Sequence, residues 1–180
     1  MQAGDRVLIV GASGSVGIFA VQMAKAAGAE VTGVCGTAKV DLVRSIGADH
    51  VIDHTREDFT ANEGRYDVVF DMVADHPLGR IRRSLTRTGT LVLSSGRGGR
   101  VLGPLGRIAA ASLVSPFVPQ RLRPLAAKRS GDDLAELARR IDAGEVRPAV
   151  DAVIPLERAA EAVARFEAGD VRGKLVLATG

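Results

Sequence analysis

Short apolar runs alternate along the chain with stretches of helical spacing. Val7-Leu8-Ile9-Val10 is apolar at every position and ends at a glycine, as a strand covered on both faces should. From Ser15 to Ala29, the residues Val16, Phe19, Ala20, Met23 and Ala27 recur at helical spacing, and Gly28 closes the helix. Glu30 to Cys35 reads as a second strand, Val40 to Ile46 as a helix closed by Gly47, and His50 to Asp53 as a third strand. Tyr66 to Asp71 is a fourth strand, Pro77 to Leu85 a helix, and Gly89 to Ser94 a fifth strand. Strands and helices in strict alternation imply βαβ units with right-handed crossovers. The expected fold class is therefore α/β, a doubly wound parallel sheet of about six strands.

From Ser95 to Ser130 the pattern is broken by Gly96, Gly98, Gly99, Gly103, Gly106, Pro104, Pro116, Pro119 and Pro124. A helix is expected from Leu105 to Leu113 and a sixth strand near Leu122 to Ala127. Asp132 to Ala143 has an acidic first turn and is followed by Gly144, which marks a helix. Pro148 to Ile154 and Lys174 to Ala178 read as strands, with a helix from Leu156 to Ala168 between them. Two segments are expected, 1–147 and 148–180.

Composition narrows the class. The chain has 180 residues, 46% hydrophobic and 25% charged, the balance of a folded globular domain. No apolar run reaches the roughly 18 residues of a spanning helix, and the first residues lack signal-peptide architecture. A single cysteine, Cys35, excludes an internal disulfide and any cysteine-based zinc cage. These features fit a cytoplasmic setting without a membrane partner. The net charge of +3 hides an asymmetry. No acidic residue lies between Asp75 and Asp132, a stretch holding Arg80, Arg82, Arg83, Arg87, Arg97, Arg100, Arg107, Arg121, Arg123, Lys128 and Arg129. Such a run reads first as a solvated face, and second as a field that attracts phosphate. With no tryptophan and one tyrosine there is little to stack on bases, which argues against nucleic acid.

The chemistry concentrates in Gly11-Ala12-Ser13-Gly14-Ser15-Val16-Gly17, between the first strand and the first helix. Gly14 would let the backbone approach a pyrophosphate, and Gly17 would allow close packing of helix on strand. Free amides at a helix start favour an anion. No Gly-Lys-Ser/Thr follows, so this is not a P-loop. In a dinucleotide site an acidic residue about 20 positions past the motif binds the adenosine ribose. Here that place holds Cys35-Gly36-Thr37-Ala38-Lys39, with no carboxylate. A hydroxyl at Thr37 and a cation at Lys39 suit a 2′-phosphate, so NADPH is expected over NADH. Lys39 also reads as a plain surface lysine, and Cys35 as a packing residue rather than a nucleophile.

The run Gly4 to Gly17 resembles the nucleotide-binding lobe of medium-chain dehydrogenases/reductases. It is most similar to the zinc-independent quinone oxidoreductase and enoyl reductase branch, whose turn Ala-x-Gly-x-x-Gly stands here as Ala12 to Gly17. Gly47-Ala48-Asp49-His50-Val51-Ile52-Asp53, Tyr66 to Asp71 and Val171-Arg172-Gly173-Lys174-Leu175-Val176-Leu177 continue the match in order. The resemblance implies a three-layer Rossmann fold binding NADP(H). Ser13, Gly14, Ser15 and Val16 would hold the pyrophosphate, with Cys35, Gly36, Thr37 and Lys39 at the 2′-phosphate. His54 stands where relatives carry a tyrosine beside that phosphate, and reads equally as a loop residue. Met72 and Val73 would line the adenosine or ribose; Ser94, Ser95 and Gly96 would approach the nicotinamide ribose.

The resemblance further implies hydride transfer to a small carbonyl, quinone or conjugated substrate. No catalytic acid and no metal ligand are assigned; Asp71, His76 and Lys128 are only pocket candidates. Family members begin with a GroES-like catalytic lobe, and residues 148–180 resemble the segment that returns to it. Without that lobe these strands are expected to dock elsewhere, pair between chains or stay loose, and the chain to bind cofactor better than it catalyses. A homodimer through an edge strand is a further expectation. Two other readings remain: a non-enzymatic NADP-sensing module, and RNA binding through the arginine-rich middle.

Overall fold

Alternate side chains of the first strand go to opposite layers. Val7 and Ile9 join one core cluster with Val21, Val31 and Val43, while Leu8 and Val10 join another with Val69, Ile81 and Leu91. This two-sided burial is why the strand carries no polar position. The computed structural model describes residues 1–61, 63–94, 103–125, 128 and 130–179.

The elements are β1 (Arg6–Val10), α1 (Gly17–Ala26), β2 (Glu30–Cys35), α2 (Val40–Ser45), β3 (His50–Asp53), β4 (Tyr66–Asp71), α3 (Leu78–Ser84) and β5 (Leu85–Leu93). They continue with α4 (Gly103–Val114), β6 (Arg121–Pro124), α5 (Gly131–Asp142), β7 (Val150–Pro155), α6 (Ala159–Glu167) and β8 (Lys174–Ala178). The main sheet has six strands in the order β3-β2-β1-β4-β5-β6, all parallel. The chain leaves β1 to one side for β2 and β3 and to the other for β4, β5 and β6. A crevice opens at that switch point, at the carboxyl ends of β1 and β4.

Most helix boundaries and those of β5, β6 and β7 differ from the sequence reading by a few residues, and two of the differences have a local cause. Strand β5 starts at Leu85 rather than Gly89, because Leu85 pairs with Tyr66 before a register shift moves Thr90 opposite Val68. Helix α1 starts at Gly17 rather than Ser15, which leaves Ser15 and Val16 in the turn. Residues 126 and 127 of the expected sixth strand lie outside the described residues, as do Ser95 and Gly96.

The last strands neither join the main sheet nor stay loose. β7 and β8 pair with each other in parallel, with α6 as their crossover. This unit is tied to the first helix. The Gln22 side-chain amide donates to the Arg147 carbonyl at 2.9 Å and accepts the Arg147 N–H at 2.7 Å. The Lys174 ammonium lies 5.2 Å from the centre of the Phe19 ring. No helix among the described residues is long and apolar enough to cross a membrane.

Candidate functional site

The loop between β1 and α1 is shaped by two glycines. Gly11 has φ +87°, a left-handed conformation, and a side chain there would also meet Val73. At Gly17 a Cβ would stand 2.2 Å from the Gly11 carbonyl oxygen, so only glycine lets α1 approach the end of β1 this closely. The Gly14 N–H is spent on the Gly11 carbonyl, at 3.0 Å. Among the described residues, no backbone carbonyl takes the N–H groups of Ser15, Val16 and Gly17, and α1 has no side-chain cap. Three amide donors at the positive end of a ten-residue helix therefore remain open.

These donors border a cleft of about 950 Å³. Ser13, Gly14, Ser15, Val16, Cys35, Gly36, Thr37, Lys39, His54, Met72, Val73 and Ser94 all line it. The fold thus brings together the expected cofactor-site residues among those described, while of the three further pocket candidates only His76 lines the cleft and Asp71 and Lys128 do not. Phe59, Asp75 and His76 join the lining, and of these only His76 was a sequence candidate. Asp71 is fully buried and does not line the cleft. It acts from behind: its Oδ1 accepts the N–H groups of Val73 and Ala74, which caps the end of β4.

Behind Thr37 and Thr55 of the cleft lining the structure adds a carboxylate that sequence spacing missed. Register pairs Cys35 with Asp53, so Asp53 sits one strand over from the place where a ribose-binding acid was sought. Its charge is already engaged. The Thr37 hydroxyl donates to Oδ2, the Thr55 hydroxyl and N–H donate to Oδ1, and the Arg56 guanidinium stands 3.6 Å away. The Thr37 bond leads these effects, and together they hold the Asp53 carboxyl below its ordinary range despite the opposing pull of burial. Thr37 borders the cleft, but its proton is committed to Asp53. Burial, helped by the neighbouring Asp53 charge, pushes the Cys35 thiol up to about 11. A thiol so protonated at neutral pH is a poor nucleophile, in keeping with a packing role.

In the cleft lining His76 lies against Phe59, with ring centres 4.7 Å apart, and faces Asp58 at 3.6 Å. Part of the arginine-rich stretch is paired within the protein, at the surface for Arg80 and in the interior for Arg107. Arg80 faces Asp58 at 3.4 Å, Arg82 donates to Gln120, and Arg107 pairs with Asp71. Arg97, Arg100 and Arg129 lie outside the described residues. Among the described residues no group of three or more His, Cys, Asp or Glu side chains is placed to hold a metal ion.

A parallel sheet in this order, with an uncapped helix start at its switch point, defines a dinucleotide-binding α/β domain of the Rossmann type. The sequence profile of the zinc-binding dehydrogenase family matches residues 46–177. The chain belongs to the medium-chain dehydrogenase/reductase superfamily, where it corresponds to the C-terminal nucleotide-binding lobe. It is 33% identical to the mitochondrial NAD(P)H oxidoreductase RTN4IP1 of Mus musculus, over 97% of this chain and 48% of that protein. The quinone oxidoreductase of Coxiella burnetii superposes with a TM-score of 0.82 at 27% identity, covering 99% of this chain and 54% of that one. A mycobacterial protein solved in complex with NADPH superposes with a TM-score of 0.75 at 25% identity, covering 99% of this chain and 58% of that one. The chain thus spans about half the length of the relatives it matches.

Proposed function

We propose that this chain is the cofactor-binding part of an NADPH-dependent oxidoreductase that reduces a small carbonyl, quinone or conjugated substrate. The observation that carries the proposal is the set of three open amides at the start of α1, whose residues line a cleft of about 950 Å³. Those amides fit a diphosphate bridge, with the α1 dipole behind them. Gly36, Lys39 and His54 line the end of the cleft where a 2′-phosphate would lie. Lys39 supplies positive charge there. Asp53 does not oppose it as a bare carboxylate would, because two threonine hydroxyls and Arg56 engage it. The relatives' names, NAD(P)H and quinone oxidoreductases, agree with this reading.

When bound, the nicotinamide would supply hydride to a polarised double bond. The residues of this chain would bind, orient and shield it. Val16, 58% exposed at the helix start, and Met72 and Val73 across from it would cover the ligand and exclude water. Residues 1–147 would form the cofactor domain, and 148–180 the segment that completes a catalytic lobe. β3 and β6 are the edges of the main sheet, and a homodimer would extend it through one of them.

A thermal-shift titration tests the proposal. NADPH should raise the melting temperature more than NADH, and equal shifts would remove the 2′-phosphate argument. Lys39→Ala should weaken NADPH about tenfold, the loss of one charge-assisted contact, and leave NADH within about twofold. An identical loss for both would strip Lys39 of its role.

A further inference from the structure

One wall of the cleft is held by a residue that never touches it. Met72 and Val73 line the cleft, and the turn that carries them contains Ala74 at φ +62°. Among the described residues Ala74 is the one non-glycine with positive φ, a conformation that costs an alanine free energy. Asp71 Oδ1 offsets that cost by accepting the Val73 N–H at 3.1 Å and the Ala74 N–H at 2.9 Å. The other oxygen, Oδ2, accepts Arg107 Nη2 at 2.7 Å. Asp71 is fully buried, and only 14% of the Arg107 side chain is exposed.

This pair is poorly explained as a stabilising contact. Arg107 Nε and Nη1 are buried and take no hydrogen-bond partner among the described residues. A guanidinium that leaves two donors unsatisfied loses much of what its one ion pair returns. What the pair does fix is direction. It anchors one carboxylate oxygen to α4, so that the other faces the turn. We propose that Arg107 is a positioning residue: through Asp71 it holds the Met72–Ala74 turn in the shape that forms the cleft wall. The proposal rests on the cofactor reading of that cleft. It also separates Arg107 from the basic run around it, which the sequence presents as one surface feature.

The decisive variants are Arg107→Met and Ala74→Gly, alone and together, in the full chain. Glycine holds φ +62° without help. Two measurements are made, native-state amide exchange at Val73 and Ala74 and the dissociation constant for NADPH. Arg107→Met should speed exchange of those two amides about tenfold relative to the amides of β1, the effect of loosening a charge-assisted hydrogen bond. Made alone, it should weaken NADPH about fivefold or more. Made on top of Ala74→Gly, it should cost less than about twofold, because the strain it releases is then absent. A merely structural role for Arg107 would give equal losses with and without Ala74→Gly, and that result overturns the proposal. So does unchanged exchange at Val73 and Ala74. If Arg107→Met does not fold, Arg107→Lys replaces it, with the same two readouts and smaller effects in the same directions. Should the parent chain bind neither NADPH nor NADH, the function proposed above fails, while amide exchange still decides whether Arg107 holds the turn.

Discussion

Gly17 shows how far one residue governs the site. Any side chain there collides with backbone, the Gly11 carbonyl oxygen at 2.2 Å and the Ala12 carbonyl group at 2.7 Å. Backbone cannot rotate away as a flexible side chain would, so α1 must shift outward. Gly17→Ala should therefore destabilise the fold by about 1–3 kcal/mol, the usual cost of forcing an atom into a packed contact. Urea denaturation checks this, and an unchanged midpoint would show that the helix start has slack. The same substitution should also weaken cofactor binding, since the open amides of Ser15 and Val16 move with the helix. Gly14, which sequence spacing ranked beside Gly17, is looser: a Cβ there would meet only the Gly11 oxygen, at 3.3 Å.

At the scale of elements, the main sheet is joined to its helices by carboxylates at strand boundaries. Asp49, just before β3, accepts the Lys25 ammonium of α1 at 2.7 Å and the Val31 N–H of β2 at 2.7 Å. The Lys25 bond, followed by the Val31 bond, holds the Asp49 carboxyl below its ordinary range. A depressed native pKa adds stability above the unfolded value, about 3.9 for aspartate, and that stability is lost as pH falls through the native value. Asp49→Asn should thus flatten the decline of stability between about pH 5 and pH 3, most visibly at low salt. Chemical denaturation at those two pH values checks it, and equal slopes for parent and variant would contradict it.

Most of these elements were legible because their apolar residues come in short runs with clear ends. β2, β3, β4 and β8 match the sequence reading residue for residue, since each is a short apolar run cut off by a turn or a charge. The start of β5 was not, because Thr86, Arg87 and Thr88 look like a loop and lie between the pairings of Leu85 and Thr90, where the register shifts. The cleft lining was legible because strand ends in this fold converge. Asp53 and Arg107 were not. One reaches the site through a neighbouring strand, and the other through an ion pair spanning 36 positions from inside a basic run. Local pattern carries no trace of either contact.

The whole molecule has a finished half and an open one. Strands β1 and β2 of the main sheet are buried along nearly their whole length, whereas Val153, Val163 and Phe166 of the β7-α6-β8 unit are 62%, 54% and 69% exposed. A two-stranded parallel sheet is rarely stable alone, and here α6 and the Gln22 bonds to Arg147 are what keep it in place. The finished half holds the start of α1, the proposed cradle for a diphosphate. The most direct test is an NMR titration of the ¹⁵N-labelled chain with NADPH, following the amides of Ser15, Val16 and Gly17. Large, saturable shifts are expected at all three, with half-saturation at a lower concentration for NADPH than for NADH. If these three resonances stay still at saturating coenzyme, the cradle does not exist and the proposed function falls with it.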